Sequence, residues 1–523
     1  MRILWCLVAG MLLHGGAAHA ASLVVNPADR NAHATIAAAV SAAGSGDTIT
    51  IKKGVYRETI KPKPHVTIEG ETGALVKGSD IVSGWKELRE GVYVKRDWAV
   101  NSQQVFVDGV AMRQIGGQVF DGYPGNSGSE YYKLESIAET GGIWPGRVEG
   151  DQSTMPAASF FYDGEEKILY LRPPKGTLSG RTVEVSVRPF LVHAYQVDGF
   201  TLRNLSFSHS NSSAVGRAGA LRLIGNNLTV DKINVTWTDS GGMTIRGDNN
   251  IIRDSVFSHC GQIGVTGSGK NVSFAGNEMS HNNQRGFNKW WEAGGVKFMG
   301  FGGMQGSTFI GNRVLFNNGD AVWYDGGENR NNRIDNNVVA YNEGSGIHYE
   351  VSYGAHIARN YVFGNKQRGI YIANSADSLV EHNLVAKNGL EGVAISNEAK
   401  RTARFPPKNN KVLANIIGWS GKHALRLPNA EFSNFADGNL FVGDGAPAYG
   451  IWEAPAYPTV SGLVAWQAQS GQDKNSWQNL MPFPPTLETK MKRRETDLDW
   501  PILTSIARQL DIAAAARRPG PHN

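Results

Sequence analysis

Asn337-Val338-Val339-Ala340-Tyr341-Asn342-Glu343-Gly344-Ser345-Gly346-Ile347-His348-Tyr349 returns 23 residues later (360 − 337) as Asn360-Tyr361-Val362-Phe363-Gly364-Asn365-Lys366-Gln367-Arg368-Gly369-Ile370-Tyr371-Ile372. After another 23 residues (383 − 360) it returns from Asn383. Each unit sets Asn ahead of two or three apolar residues, then a polar turn, then a second strand that begins near Gly. Asn204, Asn234, Asn277, Asn312, Asn337, Asn360, Asn383 and Asn415 take the equivalent place, and Ser255 fills one more. A period in the low twenties with Asn at a turn is that of one coil of a parallel β-helix. The Asn side chains would stack and bond along that turn. A leucine-rich repeat would demand Leu at fixed places, whereas Val, Ile, Phe and Ala share them here. The repeat predicts an all-β chain, a right-handed parallel β-helix whose main part covers 191–430.

Working upstream, residues 21–84 read as an N-terminal cap and the first coils. Thr35 to Ala43 carries apolar residues at helical spacing and stops at Gly44. Such a helix seals the end of a solenoid, where bare strand edges and core would otherwise be exposed. Residues 85–190 break the repeat. Val107-Asp108-Gly109 and Tyr162-Asp163-Gly164 look like hairpin turns, and predict an inserted small antiparallel, sandwich-like β unit. Downstream, 431–523 read as loops and a helix, near Leu503 to Ala516, packed on the β-helix. Residues 1–20 have the pattern of a signal peptide: Arg2, an apolar run from Ile3 to Leu13, and Ala18-His19-Ala20 as the cleavage site. The expected location is therefore secreted or periplasmic, with no membrane span in the mature chain.

With 523 residues, the chain can bury a large core without disulfide or metal. Charged residues are 19% and Gly numbers 63, which fits short strands and tight turns. A net charge of +5 is too weak to imply nucleic acid. Cys6 leaves with the leader, and the remaining Cys260 reads as a small buried hydrophobe. Asn204 and Asn234 begin N-x-Ser/Thr sequons. Their place on the Asn ladder favours a structural role over glycosylation.

Parallel coils stack equivalent side chains about 4.8 Å apart, so spacing reports geometry. Aligning Val322 with Ile347, and Tyr324 with Tyr349, places Asp325 above Glu350, 25 residues on (350 − 325). The next two coils have Ala373 and Ser396 there, so the carboxylates form a local pair. Stacked carboxylates repel and need a reason to be together. A retaining glycosidase supplies one: a nucleophile and a general acid/base roughly 5–5.5 Å apart. His348 lies two residues before Glu350 and faces the same way. Trp290 and Trp291 could stack on sugar rings. Tyr324, Tyr349 and Tyr353 could donate hydrogen bonds in the cleft; Tyr324 and Tyr349 alternate with apolar strand residues, so either face is open to them.

The segment resembles glycoside hydrolase family 120, β-helical β-xylosidases. The resemblance rests on Trp291-Glu292-Ala293-Gly294-Gly295-Val296-Lys297-Phe298, on Trp323-Tyr324-Asp325, and on Glu350-Val351-Ser352-Tyr353-Gly354. Its motif core spans about residues 290 to 360. The resemblance implies Asp325 as nucleophile, Glu350 as acid/base and Glu292 as a substrate-binding carboxylate. Trp291, Trp323, Tyr324, His348 and Tyr353 join Glu292 as substrate-binding candidates. The chain departs from the family at Trp291, often His there, and at Gly326-Gly327, where a bulkier aromatic is usual.

Two other readings compete. A polysaccharide lyase or epimerase acting on uronates needs a base and charge neutralisation, and Lys297, His348 and Arg368 are available. A non-catalytic carbohydrate-binding solenoid would not bring Asp325 and Glu350 into one pocket. Adjacent carboxylates also bind Ca2+ in some proteins. The expected partner is an oligo- or polysaccharide, with no cofactor and no metal.

Overall fold

The computed structural model describes residues 20–115, 151–212, 219–287, 289–290, 292–300, 302–327, 329–453, 457–496 and Leu498. The leader, Trp291 and the expected helix near 503–516 lie outside them, Ala20 excepted. Among the described residues there are three long sheets of 13 strands each, and nearly every pairing within them is parallel. Successive strands of the chain visit the first, second and third sheet in turn. The chain is therefore a parallel β-helix, closed at its start by the helix Ile36–Ala42. The Thr35 side chain accepts the Ala38 N–H at 3.1 Å to cap that helix, and Ile36, Ala39 and Val40 turn into the core.

Short strands suffice because each needs to bury only one or two residues. In the first sheet the middle residues Leu202, Val230, Ile252, Phe274, Phe309, Ile334, Ile357, Val380 and Val412 stack in register, all buried. Each such burial contributes about 1.5–3 kcal/mol. In the third sheet two interior rows alternate with outward ones. Val296, Val322, Ile347, Ile370 and Val393 form one row; Phe298, Tyr324, Tyr349, Ile372 and Ile395 form the other.

The turn between first and second sheets carries the Asn ladder. From Asn277 through Asn312, Asn337, Asn360, Asn383, Asn415 and Asn439, each side-chain Nδ2 donates to the Oδ1 of the next at 2.9–3.2 Å. Ser255 stands on this ladder, but Asn204 and Asn234 do not. Asn204 is the left-handed turn residue one place earlier, and Asn234 is an exposed strand residue paired with Val256. Their sequons therefore lose the ladder argument against glycosylation. A second ladder, unread in the sequence, joins Asn282, Asn317, Asn342, Asn365 and Asn388 at the next turn.

The coils also continue past 430, into the stretch expected to hold only loops and a helix. Phe435–Asp437, Leu440–Gly443, Ala448–Trp452 and Trp477–Leu480 extend the three sheets. The helix Leu463–Ser470 then packs Trp466 flat on Tyr449, ring centroids 5.2 Å apart. Two small, mostly antiparallel sheets interrupt the early coils, beginning with Ser79–Ile81 and ending with Val183–Ser186. Arg285 ties them to the β-helix: it donates to Gln114 Oε1 at 2.7 Å and to the Gln103 carbonyl, and pairs with Asp239. This places the inserted sheets beside the loop leading into Gly294–Phe298. Among the described residues no helix is long and apolar enough to cross a membrane.

Candidate functional site

The outward rows of the third sheet carry the chemistry. One row runs Thr266, Lys297, Trp323, His348, Tyr371, Ala394 and Arg426 in register. Aromatic and cationic faces stack along it. Lys297 Nζ lies 3.3 Å from the Trp323 ring centroid. The rings of Trp323 and His348 are 5.0 Å apart, and those of His348 and Tyr371 4.6 Å. Both faces of Trp323 are thus covered, by Lys297 and His348. Neither face of Trp323 is therefore open for a sugar ring to stack on. What Trp323 offers is its edge: Nε1 donates to Glu350 Oε2 at 2.9 Å.

Asp325 follows Asp320–Tyr324, and Glu350 ends the neighbouring strand Ile347–Glu350. Tyr324 and Tyr349 are paired in register immediately before them. Asp325 takes Lys297 Nζ as its partner at 3.0 Å. Lys297 itself is only 3% exposed, so the contact is made out of bulk solvent. Glu350, 7% exposed, is enclosed by Trp323 Nε1, by His348 Nε2 at 3.7 Å, and by the guanidinium of Arg401. His348 is itself oriented by Asp320, whose Oδ2 lies 2.8 Å from Nδ1.

Burial is the largest influence on Glu350 and pushes its carboxyl up. His348, the hydrogen bond and charge of Arg401, and the charge of Lys297 together outweigh it, and hold the group below the ordinary glutamate value. Burial pushes the Arg401 guanidinium down, but its bond to Glu350, with Glu398 and Asp325 nearby, raises it overall.

Arg401 and Asp320 are site residues that the sequence reading did not find. Arg401 sits on the short helix Ala399–Thr402, in an excursion between the strands Val393–Ser396 and Lys411–Leu413. Gly327 lets that excursion approach. Its φ is +77°, and an added Cβ would meet the Phe405 ring at 3.0 Å. Phe405 thus lies against Gly327, two residues beyond Asp325. Asp320 had no signal in the sequence: two places before the buried Val322, its strand parity points inward, yet its side chain reaches His348 Nδ1.

Other expected residues divide. Tyr324 is not in the cleft: it shares strand parity with Val322, and its ring is buried in the core against Phe298 and Tyr349. Tyr353 lies in the turn after Glu350, beneath the Arg330 guanidinium at 4.7 Å. Glu292 is buried just ahead of Gly294–Phe298, and Trp290 is exposed. Cys260 is fully buried, and burial pushes its thiol up to about 12, which suits a packing residue. Among the described residues no group of three or more His, Cys, Asp or Glu is arranged to hold a metal ion.

A family model described as the right handed beta helix region matches residues 294–454, which include this site. No curated protein matches the chain in sequence. Among solved structures the chain is similar to XylC in complex with xylose, at 13% identity and a TM-score of 0.53, covering 86% of this chain and 83% of that one. It is also similar to a glycoside hydrolase, at 12% identity and 0.46, covering 87% and 92%. A third is the A-module of the mannuronan C-5 epimerase AlgE6 of Azotobacter vinelandii, at 13% and 0.43, covering 86% and 94%. At such identities the likeness is one of fold, and with the family match it makes this chain a right-handed parallel β-helix protein.

Proposed function

We propose that the protein is a carbohydrate-active enzyme, a retaining glycoside hydrolase in which Asp325 is the nucleophile and Glu350 the general acid/base. The observation that carries this reading is the placement of two carboxylates after paired residues on adjacent strands, each with a different partner. Asp325 faces the buried Lys297 Nζ at 3.0 Å. Glu350 is buried and held by an arginine on a short excursion, so a sugar that displaces Arg401 removes its hydrogen bond and charge and raises the carboxyl toward its protonated form. Glu350 then gives its proton to the glycosidic oxygen as the C–O bond breaks, and Asp325 forms the glycosyl ester. Water next attacks the anomeric carbon, Glu350 takes its proton, and the sugar leaves with its anomeric configuration retained. XylC, whose overall course is similar, is a protein seen with xylose, and the resemblance to family 120 supports a β-xylosidase-like hydrolase. In this reading the inserted β unit over 85–190 helps wall the pocket. The leader directs the chain to the periplasm or beyond.

The buried Lys297 beside Asp325 favours one second reading, a uronate lyase or epimerase in which this lysine takes part in proton transfer. The test is sugar release from a panel of aryl glycosides and plant or bacterial oligosaccharides. The parent is expected to release sugar with retained anomer by NMR, and Asp325→Asn and Glu350→Gln to lose turnover. Undiminished turnover in either variant would remove the assignment. Ultraviolet absorbance of an unsaturated uronate product would replace it with the lyase.

A further inference from the structure

Two coils beyond Tyr371, the same outward row reaches Arg426, with Ala394 between them. Around it lies a second ionic cluster that the reaction above does not use. Glu391, 1% exposed, is its centre. Arg368 Nε lies 2.9 Å from Glu391 Oε2, and Arg426 Nη1 lies 3.3 Å from Oε1. His423 Nδ1 is 3.6 Å from the same oxygen, and its Nε2 meets Thr459 Oγ1 at 3.0 Å. The guanidiniums are also braced on aromatic faces. Arg368 Cζ is 4.3 Å from the Tyr371 ring centroid, and Arg426 Cζ is 4.1 Å from that of Trp452. Tyr371 in turn stacks on His348, so the cluster is continuous with the proposed catalytic pair.

The charges do not balance. Two guanidiniums, always protonated and with five N–H donors each, face one carboxylate. Arg426 is 7% exposed, and its Nε makes no hydrogen bond among the described residues. An excess buried cation is costly unless a further anion joins it. Arg368 is the more open of the two arginines, its side chain 19% exposed, and so is placed to receive that anion. Coil spacing sets Arg426 about 14 Å along the axis from Glu350, at about 4.8 Å per coil over three coils, within reach of one oligosaccharide.

We infer that Arg368 and Arg426 form a carboxylate-binding subsite, and that the substrate is an acidic oligosaccharide carrying a uronate along the chain from the bond acted on. This rests on the reading of the third-sheet face as a carbohydrate site. Glu391 spaces the two arginines, and Tyr371 and Trp452 hold their planes.

The experiment is calorimetric titration of the full chain carrying Glu350→Gln, so that binding is read apart from turnover. The probes are tetramers of galacturonate, mannuronate and glucuronate, with xylotetraose as the neutral control. At least one uronate tetramer is expected to bind tenfold or more tighter than xylotetraose. Arg368→Gln should weaken that tetramer roughly 10- to 100-fold, as for lost hydrogen bonds to a charged group, and leave xylotetraose unchanged. Arg368→Lys, which keeps the charge, should retain part of the preference. Xylotetraose binding as tightly as every uronate, or an equal loss for acidic and neutral tetramers in Arg368→Gln, would overturn the subsite. Selective uronate binding by a parent chain that hydrolyses nothing would keep the subsite and remove the hydrolase.

Discussion

The Asn ladder and the outward row of the third sheet are both stacks of side chains at coil spacing, yet they obey opposite rules. Along the ladder every residue from Asn277 to Asn439 is the same, and each amide both gives and receives. An amide row is self-complementary, so repetition satisfies it without limit. Along the outward row the residue changes at every coil, from Lys297 to Trp323 to His348 to Tyr371. Carboxylates accept only, so Asp325 and Glu350 could not stack bare. They are interleaved with Lys297, the Trp323 N–H and Arg401. Repetition makes the fold here, and its violation over two coils makes the candidate chemistry.

That contrast can be broken by a pair of substitutions. Glu350→Gln is expected to lower turnover on the order of 10²–10⁴-fold, the usual worth of a general acid/base. The Gln carbonyl still accepts from Trp323 Nε1, so the chain should stay folded, with a modest fall in the unfolding midpoint from the lost charge against Arg401. Asn360→Ala is expected to do the reverse. It strips the acceptor from the Asn337 N–H and Nδ2, and the donor from the Ile334 carbonyl. Buried unsatisfied groups of this kind cost about 1–3 kcal/mol each. Urea unfolding should show a loss of about 2–4 kcal/mol, with kcat per folded molecule unchanged. If Glu350→Gln unfolds the chain, or Asn360→Ala kills turnover at full fold, the two stacks are not separate in role.

How far the sequence could be read follows the same divide. The register of Val322 on Ile347 and Tyr324 on Tyr349 was legible because a repeat carries its own alignment. The ladder was legible from Asn277 onward, where Asn recurs. It was misread at Asn204 and Asn234, because without the Asn a frame error of one residue is invisible. The second ladder had a signal that went unused: Asn282, Asn317, Asn342, Asn365 and Asn388 each follow a first-ladder Asn by five residues (282 − 277). So did Tyr324, whose parity with the buried Val322 already set it inside. Arg401 had no such signal. It reaches Glu350 from an aperiodic excursion 51 residues away, and nothing in a local pattern points across that distance.

Smaller substitutions sharpen the contrast within the outward row. Trp323→Phe keeps an aromatic ring between Lys297 and His348 but removes the donor to Glu350 Oε2. A hydrogen bond to a charged group contributes about 1.5–3 kcal/mol, so kcat should fall about tenfold or somewhat more. KM and the melting temperature should change little. A fall confined to KM would show that Trp323 serves binding, not the placement of Glu350.

Arg401→Gln tests the assignment of Glu350 through its titration. Burial pushes that carboxyl up, and His348, Arg401 and Lys297 hold it below the ordinary glutamate value. Removing Arg401 deletes its hydrogen bond and its charge but leaves the burial, so the carboxyl must titrate at higher pH. A general acid has to be protonated in the free enzyme, so the alkaline limb of kcat/KM should move to higher pH. Stability changes with the matching sign. A carboxyl held low in the folded state adds stability above its unfolded pKa, and loses it as pH falls through the folded value. The parent should therefore exceed Arg401→Gln in melting temperature near neutral pH, and the gap should close on acidification below the ordinary glutamate range. An alkaline limb that stays fixed while the stability gap closes as expected would mean that Glu350 titrates as described but is not the proton donor.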